Sequence, residues 1–199
     1  MADERYRTVD GRGQSHLRVK GSRFIGWIAP VRNVDMAEAV IAEAADAYPD
    51  ATHVVSAYRV RADPFREYQD DAGEPSGSAG PPLMSVLRGE CLENVVAVVI
   101  RYYGGTNLGI GGLVRAYGTT IKRALAETEI IERVPHVTYT ITSTYDDSGT
   151  IRSILDGSDA TYDATYAAEV HFSVEAPYHT ADSLLDRIRS ATSGRADIE

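Results

Sequence analysis

The sequence has one cysteine, Cys91, in 199 residues. No internal disulfide can form, and a lone thiol fits a reducing compartment, so a cytoplasmic location is expected. Lysine is almost as scarce: Lys20 and Lys122 are the only two among 20 basic residues. Long apolar runs are missing. Val95 to Ile100 is the longest, far short of the ~20 residues that a membrane helix needs. Met1 to Asp10 is polar and charged, so no signal peptide is expected. The histidines His16, His53, His136, His171 and His179 are dispersed, with no HExxH and no Cys/His pair. No metal site and no cofactor is therefore expected. A Gly-Lys-Ser/Thr phosphate loop and a GxSxG elbow are absent too, and no catalytic residue is assigned.

The composition is that of an ordinary globular domain, 43% apolar and 25% charged, which excludes a collagen or a disordered tail. The net charge is −9, which argues against general attraction to nucleic acid or anionic lipid. The charge is unevenly spread. Residues 134–199 hold 11 acids and 4 bases, whereas residues 1–32 hold 3 acids and 7 bases. An anion-binding surface therefore belongs to the first two thirds of the chain.

Residues 4–31 read as strands, with Arg23 to Ala29 mixing aromatic and β-branched residues. Asn33 to Ala47 reads as a helix with Met36, Val40, Ala44 and Ala47 on one stripe, and Asp35 and Glu38 resemble a capping box. Thr52 to Val60 alternates as a strand. Residues 61–80 read as loop, and a short helix is expected from Pro81 or Pro82 to Arg88. Asn94 to Arg101 is the clearest strand. Its apolar residues do not alternate, which predicts cover on both faces. Tyr102 to Gly112 reads as a glycine-rich loop and Leu113 to Glu127 as a helix, with Leu113, Tyr117, Ile121 and Leu125 on one face. Pro135 marks a boundary between domains 1–134 and 135–199. Beyond it the pattern reads β-α-β-β-α-β, the split βαβ order of a ferredoxin-like fold, giving an α+β class overall.

Two segments concentrate chemistry. In the first, Gly104, Gly105, Gly109, Gly111 and Gly112 lead into a helix start. Exposed amides and the positive dipole end there suit an anion, with Arg101, Arg115 and Lys122 adding charge. The same glycines also suit a tight turn that packs strand on helix. In the second, Asp71 and Glu74 offer an acid/base pair, a cation site or an orienting pair, and Ser76 and Ser78 are hydroxyls before a helix start. Self-capping Asp and Ser residues explain the same pattern. His53 lies among apolar strand residues, which suits a satisfied core histidine; as a site residue it would join Asp71, Glu74 and Arg101. Glu90 and Glu93 flank Cys91, a setting that does not activate a nucleophile. Tyr102 and Tyr103 suit either stacking on a base or packing at a strand end.

The stretches DAGEPSGSAGPPL (71–83) and VVIRYYGGTNLGIGGLVRAY (98–117) resemble the signature of the IMPACT/YigZ family. GSRFIGWIAPV (21–31) and ATHVVSAYR (51–59) match it in order, so the resemblance covers essentially the whole chain. Two positions depart from it. Ala72 stands where many members have a second Asp, and Asn107 where they often have Lys or a small apolar residue. The resemblance implies an N-terminal left-handed βαβ superfold, as in a small-subunit ribosomal protein, GHMP kinases and domain IV of elongation factor G. It implies a C-terminal domain similar to domain V of that factor. The eukaryotic relative regulates translation in the amino-acid-starvation stress response by competing for the activator of a kinase, and it carries an extra N-terminal recruitment domain. That domain is not expected here, and the kinase pathway is not carried over.

Three functions follow as expectations. The first is a cytoplasmic, non-enzymatic regulator or accessory factor of translation that binds RNA, the ribosome or a translation-associated protein. The second is an enzyme acting on a small phosphorylated or carboxylated ligand where segments 71–80 and 101–115 meet. The third is a protein-interaction module without a ligand. Partners are expected to be the translation machinery and a small anion, with no membrane.

Overall fold

The computed structural model describes residues 5–62 and 64–199. Residues 1–4, at the start of the expected N-terminal domain, and Asp63, in the expected 61–80 loop, lie outside them. The chain forms two compact units, one of Tyr6–Arg133 and one of Val134–Glu199, with which Arg5 also groups. Both mix helix and sheet, so the class is α+β.

The first unit contains β1 (Tyr6–Val9), β2 (Gly13–Val19), β3 (Ser22–Pro30), α1 (Val34–Ala47), β4 (His53–Val60) and β5 (Arg66–Asp70). It continues with α2 (Gly80–Gly89), β6 (Val95–Tyr102), α3 (Ile110–Ala126) and β7 (Ile130–Arg133). Five strands form an antiparallel sheet in the order β2-β3-β6-β4-β5. β6 is central, and its apolar run is buried from Val95 to Ile100. Successive side chains point to opposite faces. Val95, Ala97 and Val99 therefore join a core with α2 and α3, while Val96, Val98 and Ile100 join a second core with α1. Polarity does not alternate along β6 because both faces are covered.

Several local expectations need correction. β5 occupies part of the stretch expected as loop. All five of its residues are exposed and it pairs only with β4. A polar edge strand carries no hydrophobic alternation, so no periodicity betrays it. β7 pairs with β1 across the whole unit, and its four residues are too few to show a period. The cap of α1 is Asn33, whose side chain accepts from the Met36 amide at 2.8 Å, in place of the expected Asp35–Glu38 box. Met36 is exposed, and Ala37 takes its place in the buried stripe with Ala44. Helix α3 begins at Ile110, so Gly111 and Gly112 lie in its first turn rather than in the loop.

The second unit contains β8 (His136–Ser143), α4 (Tyr145–Asp156), β9 (Thr161–Tyr166), β10 (Val170–Pro177), α5 (Tyr178–Ala191) and β11 (Asp197–Ile198). Its sheet order is β11-β8-β10-β9, antiparallel throughout. Ile141, Phe172 and Val174 pack against Ile151, Leu155, Leu185 and Ile188 on one face. The other face exposes Thr138, Thr140, His171, Ser173, Thr161 and Asp163. The final strand is two residues long, shorter than the expected Arg195–Ile198.

Candidate functional site

Register places the polar cluster of the first unit. Phe24 lies opposite Arg101, and Arg101 lies opposite His53, across β3, β6 and β4. Directly opposed residues share a face, and this row faces α3. Arg101 is 4% exposed, so its charge needs a partner in the protein. Glu74, from the loop before α2, supplies it: Arg101 Nη1 donates to Glu74 Oε1 at 2.5 Å. Tyr117 of α3 donates its hydroxyl to the same oxygen at 2.6 Å. Burial, reinforced by the Glu74 carboxylate, pushes the Tyr117 hydroxyl far above its ordinary pKa, so it remains a donor. Arg101 Nη2 also donates to Ser22 Oγ at 3.3 Å, while its Nε is buried without a partner among the described residues.

His53 stands at the rim of this cluster. Its Nδ1 donates to the Ala72 carbonyl at 2.8 Å, since a carbonyl can only accept. Its Nε2 then faces Glu74 Oε1 at 3.9 Å. Ala72 presents that carbonyl from a left-handed backbone, φ 49°. A side chain with Cβ enters that region at a cost. His53 is therefore half-buried at a cleft rather than satisfied within the core.

The cleft has a volume of ≈560 Å³. His53, Glu74 and Arg101 form its polar wall, Leu108 and Leu113 its apolar wall, and Gly109 and Ile110 bring the N-terminus of α3 to it. Gly109 precedes the helix at φ 71°, and no side chain caps the α3 amides among the described residues. The sequence offers no acid in that first turn. Helix α2 differs. Asp71 accepts from the amides of Gly77, Ala79 and Gly80 at 2.7, 2.8 and 2.9 Å. Burial works against its charge as the largest single effect. The three amides together outweigh it and hold the carboxyl below its ordinary pKa.

The expected site residues thus divide. His53, Glu74, Arg101 and Gly109 line one cleft. Arg115 and Lys122 line a different groove of ≈540 Å³ between α2 and α3. Arg101 lines the cleft that Gly109 and Ile110 border, with its charge matched by Glu74, whereas Arg115 lies in the other groove. Gly111 and Gly112 lie in the first turn of α3. Gly104 serves a close approach: a Cβ there would fall 1.9 Å from the carbonyl carbon of Gly21. Gly105 has a left-handed φ of 79° and open space around it. Asp71 fills the helix start expected to receive an anion beside Ser76 and Ser78. Ser76 is exposed, and Ser78 is buried with its hydroxyl unpartnered among the described residues. In the sequence pattern Tyr117 is legible only as a core residue on the buried face of α3. Its signal was present, because a buried tyrosine hydroxyl requires a partner.

Among the described residues, no group of three or more His, Cys, Asp or Glu side chains is placed to hold a metal. No helix there is long and apolar enough to cross a membrane. A sequence profile of the Impact N-terminal domain matches residues 20–125. The IMPACT family member YvyE of Bacillus subtilis is 31% identical over 195 residues, covering 98% of this chain and 90% of its own. The IMPACT family member YigZ of Escherichia coli is 37% identical over 144 residues, covering 71% and 70%. A crystal structure of a hypothetical protein superposes with TM-score 0.75 at 30% identity, over 98% of this chain and 96% of that one.

Proposed function

This chain belongs to the IMPACT family, and from that premise we propose that it is a non-enzymatic regulator or accessory factor of translation. It acts in the cytoplasm on RNA, the ribosome or a translation-associated protein. The finer fold assignments belong to the same proposal: a left-handed βαβ superfold over 1–134 and a ferredoxin-like domain over 135–199. The observation that carries the reading is the open N-terminus of α3. Gly109 and Ile110 border the cleft, and among the described residues no side chain caps the first-turn amides of α3. Such a terminus favours a phosphate or carboxylate from a partner. Arg101 acts here as a fixed wall, with its charge matched by Glu74, and Arg115 contributes from the next turn of α3. The ideal Cβ position of Gly111 lies 3.6 Å from Arg115 Nη1.

Co-sedimentation with ribosomes over a salt series tests this. Binding at low salt that weakens as salt rises is the expected result. A protein that stays in the soluble fraction at the lowest salt overturns it. The second reading, an enzyme on a small phosphorylated or carboxylated ligand, draws on His53 Nε2 facing Glu74 inside the cleft. It is favoured if a metabolite stabilises the chain, by about 2.7 kcal/mol at 100 times its Kd, while ribosomes do not bind.

A further inference from the structure

One residue along from the buried row Phe24–Arg101–His53, the same three-strand region presents an opposite surface. Arg18 of β2 lies directly opposite Arg23 of β3, and Arg23 lies opposite Tyr102 of β6. Alternation turns these three side chains to the face away from α3. Arg18 and Arg23 are exposed, and Tyr102 is half-buried. Lys20 extends the row into the β2–β3 turn. It takes a left-handed φ of 46°, which is uncommon outside Gly, Asn and Asp. The turn is fastened in place, since Gly21 and Gly104 meet backbone to backbone.

Two like charges directly opposite each other in a sheet destabilise it. Among the described residues, no carboxylate offsets Arg18, Lys20 or Arg23 with an ion pair. One carboxylate borders the row: Asp50 accepts the Tyr102 hydroxyl at 2.7 Å and keeps its charge, because the donor is neutral. The Arg23 guanidinium lies over the Tyr102 ring, 4.2 Å from its centroid. Three cations thus stand beside one carboxylate, a net positive row on a protein of net charge −9.

We propose that Arg18, Lys20, Arg23 and Tyr102 form a docking surface for the backbone of single-stranded RNA. The inference rests on the translation reading above and concerns a surface distinct from the α3 cleft. Charge complementarity demands an anionic partner. The stacked guanidinium and ring favour a nucleic acid over an acidic peptide, because bases stack on such planes. Three strands at ~4.8 Å spacing spread the row over about 10 Å, the reach of a few phosphates. The open sheet face of the second unit has neither feature. Its β-strands carry Thr, Ser, Asp and Glu with no Lys or Arg.

The test uses the full chain and a fluorescein-labelled single-stranded RNA of mixed sequence, with poly-glutamate as the acidic-peptide probe. Anisotropy over a salt series should give a log–log slope of about −2, as three phosphate contacts require. Arg18→Glu should weaken RNA binding about tenfold and flatten the slope. It should leave Tm unchanged or raised, because an opposite charge then faces Arg23. Arg187→Ala, an exposed cation of α5, should change neither. Unchanged RNA binding by Arg18→Glu overturns the proposal, as does lost binding with a lowered Tm, or poly-glutamate bound more tightly than RNA. Ribosome co-sedimentation of the same variant separates the two readings. If wild type and Arg18→Glu sediment equally, the docking surface is wrong and the translation reading stands. If wild type neither sediments nor binds RNA, both fall.

Discussion

Helices α2 and α3 both start after glycine-rich segments, yet their first turns are treated oppositely. At α2 the chain supplies its own anion, with Asp71 taking three amides. At α3 no side chain caps the first turn among the described residues, and Gly109 and Ile110 border a cleft. Glu74 links the two, because it leaves the α2 loop to bind Arg101 and Tyr117. The difference teaches that a glycine-rich helix start is not yet an anion site. What matters is whether a nearby side chain has already taken the amides. An intramolecular carboxylate does so without the entropy loss of recruiting a free anion.

The strongest way to break the comparison is to remove its link. Glu74→Ala leaves the Arg101 charge buried and unpaired. The expected loss is about 3–5 kcal/mol in urea unfolding. A loss below ~1 kcal/mol would show that water reaches Arg101 freely and that the cleft wall is not rigid.

Next in size is the closed helix start. Asp71→Ala removes an acceptor shared by three amides and should cost about 1–2 kcal/mol at neutral pH. The Asp71 pKa is lowered in the folded state, so its stabilisation is present above its unfolded value. That stabilisation disappears as pH falls through the lower folded value. The wild-type advantage over Asp71→Ala should therefore hold at pH 7 and shrink below about pH 4. An advantage that grows towards acid would contradict the capping role.

The smallest effect is the most discriminating. Ile110 is 63% exposed at the first position of α3. Ile110→Glu places a carboxylate at that open end and should add ~0.3–1 kcal/mol. Wild type should gain Tm with sulfate at fixed ionic strength, and Ile110→Glu should not. A variant that loses stability, or still responds to sulfate, would place the anion elsewhere than α3.

Local pattern alone determined the buried strand Val95–Ile100, the face of α3 carrying Leu113, Tyr117, Ile121 and Leu125, and the β-α-β-β-α-β order after Pro135. Each is written in a contiguous stretch, as a period, a run or a breaker. The tertiary structure decided what lies between such stretches. β5 and β7 exist because a partner strand supplies their hydrogen bonds, not because their own residues alternate. Arg101 was legible as a cation at the end of a strand, and Glu74 as an acid in a loop. Their pairing across 27 residues follows from the register of β6 and the path of the α2 loop. That pairing matches the Arg101 charge within the protein, and the Asp71 carboxylate caps α2. A burial penalty acts only on a buried group, and only the packed sheet and helices decide which charges are buried.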